Sequence, residues 1–213
     1  STPIKSSAAS DVYKRQGIPQ NSSMQANVIY TSQTDVIEQQ VKAARQLADF
    51  VVVGVHWGVE NSHAIADPQR TLAQNLADWG ADLIIGTHPH VLQNAQWLTA
   101  ADGRQVFTAY SLGNFISTQE KPDQLVGAIL SLQLEKTTEP DGTVRCSVLS
   151  PRLLPTVTHY DAGKSNVRTY LFRDYTEALT KAHGVRKAYP DFSLEMIQSI
   201  ARENIDPEFL QLT

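Results

Sequence analysis

Two short apolar runs, at residues 51–55 and 83–85, constrain the fold of this chain more than any other feature. Both are rich in β-branched residues and end at loop residues, which is typical of buried strands. Between them, residues 68–79 have apolar positions at helical spacing, with Asp67 placed to cap the helix and Gly80 to end it. A strand, helix, strand order requires a crossover connection, so we expect the two strands to pair in parallel.

The remaining segments predict an α/β fold with mixed sheets and flanking helices. A short strand is expected at residues 28–30 and a helix at 35–50, capped by Thr34 or Asp35. Residues 105–115, 125–135 and 142–160 alternate as antiparallel strands do, with a turn at 139–143. Two amphipathic helices are expected near residues 170–182 and 193–203.

Composition excludes several classes of protein. The chain has 213 residues, 41% of them hydrophobic and 19% charged, with a formal net charge of −4, which does not favour a nucleic-acid surface. No apolar run reaches the roughly 18 residues that a membrane helix needs. Cys146 is the single cysteine, so no internal disulfide can form.

Residues 1–16 lack apolar periodicity, and residues 1–27 are interpreted as a non-native or linker leader outside the fold. Within them, residues 10–16 (S-D-V-Y-K-R-Q) resemble translated sequencing-adaptor read-through. The alternative is a native polar linker.

Histidines follow both apolar runs at the point where each ends. His56 comes directly after the first run, and His88 and His90 follow the second. Because the carboxyl ends of parallel strands meet at one edge of a sheet, we expect these rings to converge. Imidazole nitrogens bind Zn, Mn or Fe, and Glu60 or Asp67 can add an oxygen ligand. The pattern therefore predicts a metal site that activates water and polarises a phosphoryl or acyl oxygen.

A structural interpretation of the histidines stays open beside the metal site. His56 alone is equally compatible with a buried, hydrogen-bonded imidazole, and His63 has no strand end beneath it. His159 and His183 are expected to be ordinary surface or core residues. In that case the chain would be an α/β binding domain whose histidines are only structural.

Three motifs in order resemble one protein family. They are H-W-G-V-E at residues 56–60, G-A-D-L-I-I-G-T-H-P-H-V-L-Q at 80–93 and Y-S-L-G-N-F at 110–115. Over residues 28–154 the chain resembles CapA-type (PGA-cap) bacterial capsule proteins, the poly-γ-glutamate biosynthesis group. The resemblance implies a calcineurin-like metallophosphatase fold, an αββα sandwich whose complete domain binds two divalent metal ions (Mn, Fe or Zn).

Residue by residue, the resemblance implies that His56, His88 and His90 are metal ligands. Glu60 matches the acidic position of the first motif, and Asn114 matches the asparagine of S-L-G-N-F near the site. Glu60, Asn114 and His63 are the candidates for further ligands or for residues that support the ligands.

The chain departs from the family pattern before His56. Family members carry a G-D segment and an N-N-H segment there, which supply a bridging aspartate, an asparagine ligand and an acid histidine. Neither segment is present in this sequence. We therefore expect a leader at residues 1–27, the C-terminal half of the family domain at 28–165, a C-terminal helical segment at 166–213, and only part of a metal site.

The function implied is metal-dependent hydrolysis of a phosphoester or an amide in capsule or poly-γ-glutamate biosynthesis. The alternative is a non-catalytic polymer-binding or assembly component of a capsule synthesis or export complex. Expected partners are an anionic capsule polymer or precursor and capsule synthesis or export proteins, with no nucleic acid and no membrane segment in this chain. Arg104, Arg152 and Arg168 are too scattered to predict a basic stripe for such a polymer. The resemblance implies a location at the outer cell surface, held by an N-terminal anchor outside this sequence.

Overall fold

The computed structural model describes residues 29–213, so the predicted leader and Val28 of the predicted first strand lie outside the described residues. The helices are α1 (Thr34–Leu47), α2 (Asp67–Trp79), α3 (Glu177–Ala182) and α4 (Leu194–Asn204). The strands are β1 (Val52–His56), β2 (Leu83–Thr87), β3 (Leu92–Thr99), β4 (Gln105–Leu112), β5 (Val126–Thr138), β6 (Val144–Asp161) and β7 (Ser165–Leu171). Short 3-10 helices cover Pro122–Leu125, Ala162–Lys164, Phe172–Asp174 and Gly184–Lys187.

The first sheet has four strands in the order β1-β2-β4-β3. The parallel pairing of β1 with β2 confirms the prediction, and β4 adds to β2 in parallel as well. Strand β3 runs antiparallel to β4 and was not predicted. Gln93 of this strand is buried, and its side chain is hydrogen-bonded. Because a polar residue occupies this core position, the sequence lacks the alternation of apolar and polar residues that indicates a strand.

The interpretation of residues 51–55 as a fully buried strand is wrong at Val52, which is 47% exposed. Among the described strands, β1 pairs only with β2 and forms an edge of the sheet. Val51 and Val55 are buried, whereas Val52 and Gly54 are exposed. A β-branched composition suits edge and central strands alike, so it could not distinguish them.

The predicted helix starts are corrected by the structure. α1 begins after Gln33 without a side-chain cap, because the Gln33 side chain accepts a hydrogen bond from the Tyr30 N–H instead (2.8 Å). α2 is preceded by Ala66 rather than capped by Asp67, and the Gln69 side chain accepts from the Ala66 N–H (3.0 Å). Its end is as predicted, since Gly80 adopts the left-handed conformation with φ 118°.

The second sheet has three antiparallel strands in the order β5-β6-β7. The predicted turn at residues 139–143 joins β5 to β6, where the Glu139 N–H donates to the Thr143 carbonyl (2.8 Å). The helix predicted at residues 170–182 is corrected to β7, a 3-10 helix and the six-residue α3. Pairing of β7 with β6 overrides the helical spacing there.

Two hydrophobic cores hold these layers together. One lies between the first sheet and helices α1 and α2, and it includes Ile37, Leu76 and Ile84. The other lies between the two sheets, where Phe107 of β4 packs edge-on against Phe209 with ring centroids 5.1 Å apart. The segment after residue 166 contributes side chains to this second core.

The result is a mixed α/β fold with flanking helices, as predicted, and it is consistent with a metallophosphatase-like sandwich. No helix within residues 29–213 is both long and apolar enough to cross a membrane.

His159 and His183 lie in the second core and not at the candidate site. The His183 ring is 2% exposed. Its Nε2–H donates to the Thr158 carbonyl (2.9 Å), and its Nδ1 accepts from the Val185 N–H (3.0 Å). Burial lowers the pKa of His183 from 6.5 to about 4. The native state therefore holds this imidazole neutral.

The neutral His183 predicts an acid-sensitive fold. In the unfolded chain this ring binds a proton as the pH falls through 6.5, whereas the folded state resists protonation until about pH 4. His183 therefore leaves the free energy of unfolding unchanged above pH 6.5. As the pH falls from 6.5 to about 4, this residue lowers the free energy of unfolding by about 3 kcal/mol. Urea unfolding at pH 7 and pH 4 measures this loss, and the His183→Gln variant should show a smaller decrease. An equal decrease in both proteins would contradict the prediction.

Candidate functional site

The three predicted histidines meet at the carboxyl ends of β1 and β2. His56 is the last residue of β1 and lies opposite Thr87, the last residue of β2, so His88 begins the adjoining loop. The His56 and His88 ring centroids are 4.5 Å apart, and those of His88 and His90 are 6.0 Å apart. His88 is 7% exposed, and the other two rings are partly buried. The convergence expected from parallel strands is therefore present.

The H-P-H loop holds both of its histidines in an unusual backbone conformation. His88 has φ 103° and His90 has φ 62°, on either side of Pro89. Positive φ values at residues other than glycine cost of order 1–3 kcal/mol each and tend to occur at functional sites. The Asn61 N–H donates to the Pro89 carbonyl (2.7 Å) and ties this loop to the one that follows β1.

Asn114 determines which nitrogen of His90 carries the proton. Its side-chain NH₂ group donates to two carbonyls, those of His90 (3.1 Å) and Gln124 (3.0 Å). The amide oxygen of Asn114 must then face the His90 Nδ1, 2.9 Å away, and accept from it. In the neutral ring this leaves the lone pair on Nε2, the atom that lies 3.8 Å from a Glu60 carboxylate oxygen. A supporting hydrogen bond of this kind fixes the tautomer of metal-binding histidines.

The S-L-G-N-F motif explains how Asn114 reaches this position. The buried Ser111 hydroxyl donates to the Val91 carbonyl (2.8 Å), which joins the end of β4 to the H-P-H loop. Gly113 has φ 65°, and a Cβ there would lie 2.8 Å from the Val126 carbonyl oxygen. A Cβ at Gly127 would lie 2.2 Å from the Asn114 carbonyl oxygen. Both glycines allow the Asn114 backbone to approach β5 closely.

The loop after β1 is held by two buried glutamines. The Gln69 side chain donates to Gln93 (2.8 Å), and Gln93 donates to the carbonyls of Ser62 (2.9 Å) and Ala64 (3.0 Å). These bonds satisfy two backbone carbonyls of the loop. The loop carries Glu60, whose side chain is 48% exposed beside His90.

His63 lies on the same loop but contacts other groups. Its Nδ1 donates to the Leu92 carbonyl (2.7 Å), and its Nε2 lies 3.8 Å from an Asp123 carboxylate oxygen. Asp67 is exposed in the first turn of α2. The contacts of His63 are those of a residue that supports the loop.

The side chains at this edge are of the types that bind a divalent metal, but too few of them lie close together. Imidazole nitrogens with carboxylate and amide oxygens suit Zn, Mn or Fe. Within residues 29–213, however, no three His, Cys, Asp or Glu side chains are close enough together to hold a metal ion. The part of the chain that the structure describes therefore supplies an incomplete ligand set.

The sequence matches one family of capsule proteins. The family described as "Bacterial capsule synthesis protein PGA_cap" matches residues 2–119, more than half of the chain, including all three histidine and asparagine motifs. The chain belongs to this family. It is 39% identical over 108 residues to the PGA biosynthesis protein CapA of Bacillus subtilis (strain 168), and 40% identical over 89 residues to the capsule biosynthesis protein CapA of Bacillus anthracis.

These two relatives are much longer than the regions they share with the chain. The match covers 51% of this chain and 26% of the Bacillus subtilis protein. For the Bacillus anthracis protein the two shares are 40% and 20%. The chain thus spans about a quarter or less of the curated relatives it matches.

Several residues that build the site were not found from the sequence. They are the polar side chains that hold the loops in place, namely Asn61, Gln69, Gln93, Ser111 and Gln124. Glutamine has no distinctive spacing or turn chemistry, so nothing marks Gln69, Gln93 or Gln124 as buried. Ser111 lies inside the S-L-G-N-F motif, and that position was the available signal.

Proposed function

We propose that this PGA_cap chain forms part of the metal centre of a metal-dependent hydrolase in capsule or poly-γ-glutamate biosynthesis. Family membership supports the biosynthetic context. The observation that carries the chemistry is the Asn114 amide, which fixes a proton on His90 Nδ1 and leaves Nε2 as the donor nitrogen. Metal-binding histidines commonly donate their second ring N–H to an oxygen acceptor, which fixes the tautomer and the ring orientation.

The residues of this chain would bind and orient rather than react. His90 Nε2, with His56 and His88 alongside, would supply part of the ligand set of a divalent ion, and Glu60 would add an oxygen from the exposed side. A bound ion of this kind supplies Lewis-acid polarisation of a phosphoryl or acyl oxygen. Pro89 and the hydrogen bond from Asn61 keep the histidine loop in place.

Proposed partners follow from the same context. They are an anionic capsule polymer or its precursor and capsule synthesis or export proteins, at the outer cell surface. The names of the two Bacillus relatives support a role in capsule or PGA biosynthesis.

A second candidate function is a non-catalytic component that binds polymer. The names of the two Bacillus relatives, which give a biosynthetic role without a reaction, are equally compatible with it. The positions of the arginines argue against it, because Arg104 pairs with the buried Asp82 and Arg152 donates to the Glu208 carbonyl. An anionic polymer requires cationic groups or a metal at its binding surface.

Turnover separates the two functions. Purified chain, completed by a family N-terminal half that carries the G-D and N-N-H segments, is assayed with added Mn²⁺ against a chromogenic phosphodiester and a γ-glutamyl anilide, beside the His88→Ala/His90→Ala variant. We expect metal-dependent hydrolysis of one substrate, abolished in the variant. Bound metal without hydrolysis of either substrate would contradict the hydrolase function and favour the binding component.

A further inference from the structure

Gln124 is a buried residue that touches two of the loops at the candidate site. It lies in the 3-10 helix Pro122–Leu125 and is 7% exposed. Its side-chain oxygen accepts from the Lys121 N–H (3.2 Å), and its NH₂ group donates to the Asn61 side-chain oxygen. Because a backbone N–H can only donate, the orientation of the Gln124 amide is unambiguous. The residue lies beyond residues 2–119, which carry the family match.

The first connection runs from the Gln124 side chain to the histidine loop. Asn61 has φ 60°, and its N–H donates to the Pro89 carbonyl (2.7 Å). The Gln124 amide holds the Asn61 side chain, so it also restrains the backbone that makes this bond. The connection ends between His88 and His90.

The second connection runs through the Gln124 backbone. Its carbonyl accepts from the Asn114 NH₂ group (3.0 Å), and the Asn114 oxygen accepts from His90 Nδ1 (2.9 Å). The Gln124 side chain caps its own 3-10 helix at Lys121 and thereby fixes the direction of that carbonyl. Loss of this carbonyl contact would leave the Asn114 NH₂ group with only the His90 carbonyl (3.1 Å) and a longer contact to Gln119 (3.5 Å), and so weaken the restraint that keeps the Asn114 oxygen on His90 Nδ1.

We propose that Gln124 is the positioning residue of the site, which sets the tautomer and orientation of His90 through Asn61 and Asn114. The metal-binding consequence rests on the proposed function, whereas the effect on His90 does not. Methionine at this position keeps the length of the side chain and removes both hydrogen bonds. Glutamate keeps the acceptor for Lys121 and places a second acceptor against Asn61.

The test compares Gln124→Met and Gln124→Glu with wild type by ¹⁵N NMR of the histidine rings and by Zn²⁺ titration. In metal-free wild type, His90 should show a protonated Nδ1 and an unprotonated Nε2. In both variants we expect the two nitrogen shifts to move toward the average of the two tautomers. Zn²⁺ affinity should fall about 10-fold or more, as it does when other residues that orient metal ligands are replaced. Gln105→Met is the matched control, since the exposed Gln105 bonds to Thr99 away from these loops.

The outcomes separate this proposal from the proposed function. Unchanged His90 shifts in a folded variant, even with a lower melting temperature, would show that Gln124 is only structural and would overturn the proposal. Altered His90 shifts without Zn²⁺ binding by wild type would support the positioning role and contradict the metal site. Gln124→Glu alters one atom of the side chain, so it provides the folded variant if Gln124→Met does not fold.

Discussion

Replacing Asp82 with alanine is expected to lower the free energy of unfolding by about 3 kcal/mol. Asp82 lies directly before β2, at the end of the sheet opposite the histidines, and its side chain is 7% exposed. One carboxylate oxygen accepts from Arg45 (2.6 Å) and from the Val51 N–H (2.7 Å). The other accepts from Arg104 (3.1 Å). Removal of the carboxylate leaves two guanidinium groups and a buried N–H without this acceptor.

Thermal and urea unfolding measure the effect of Asp82→Ala. For a chain of this size we expect a decrease in melting temperature of about 6–12 °C. The matched control is Asp49→Ala, which removes an exposed carboxylate from its ion pair with Lys136. Exposed pairs contribute little, so this control should unfold close to wild type. Equal effects of the two substitutions would contradict the role assigned to Asp82.

Replacing Gly86 with alanine is expected to destabilise the protein by at least about 3 kcal/mol. A Cβ at Gly86 would lie 2.0 Å from the Tyr110 carbonyl oxygen and 2.3 Å from the Trp57 indole nitrogen. These two atoms form a buried hydrogen bond 2.9 Å long, so neither can move without losing it. The substitution therefore separates β2 from its neighbours two residues before His88.

The matched control for Gly86→Ala is Gly54→Ala on the adjacent strand. Gly54 also lies in a parallel strand, but a Cβ there would meet nothing within 4 Å. We expect the control to change stability by no more than about 0.5 kcal/mol. Urea unfolding, followed by tryptophan fluorescence, measures both variants. A loss for Gly54→Ala as large as that for Gly86→Ala would show that strand propensity, and not the close contact, determines the cost.

The sequence predicted the part of the fold that depends on local pattern. β-branched runs separated by a helix were enough to predict the parallel β1 and β2 and the convergence of His56, His88 and His90. Long-range pairing was not predictable in the same way. Strand β3 contains the buried Gln93, whose position depends on partners some 30 residues earlier in the chain.

The C-terminal region shows the same limit. Residues near Tyr170 have apolar positions at helical spacing, yet they form β7 because β6 offers an edge with open hydrogen bonds.

At the site, Asn114 was found through its motif, and its action on His90 became evident only from the two carbonyls that fix its amide. Polar side chains that position a site have no periodicity, so their roles depend on the folded structure.

The measurement that tests the metal site most directly is a Zn²⁺ titration of the full chain, followed by the histidine-ring signals in ¹⁵N NMR. The His88→Ala/His90→Ala variant is titrated beside it, with circular dichroism to show that both proteins are folded. We predict saturable binding of about one ion per chain that shifts His90 Nε2 and is lost in the variant. Unshifted His90 signals in folded wild type, or equal binding by the variant, would contradict a metal site at this edge of the sheet.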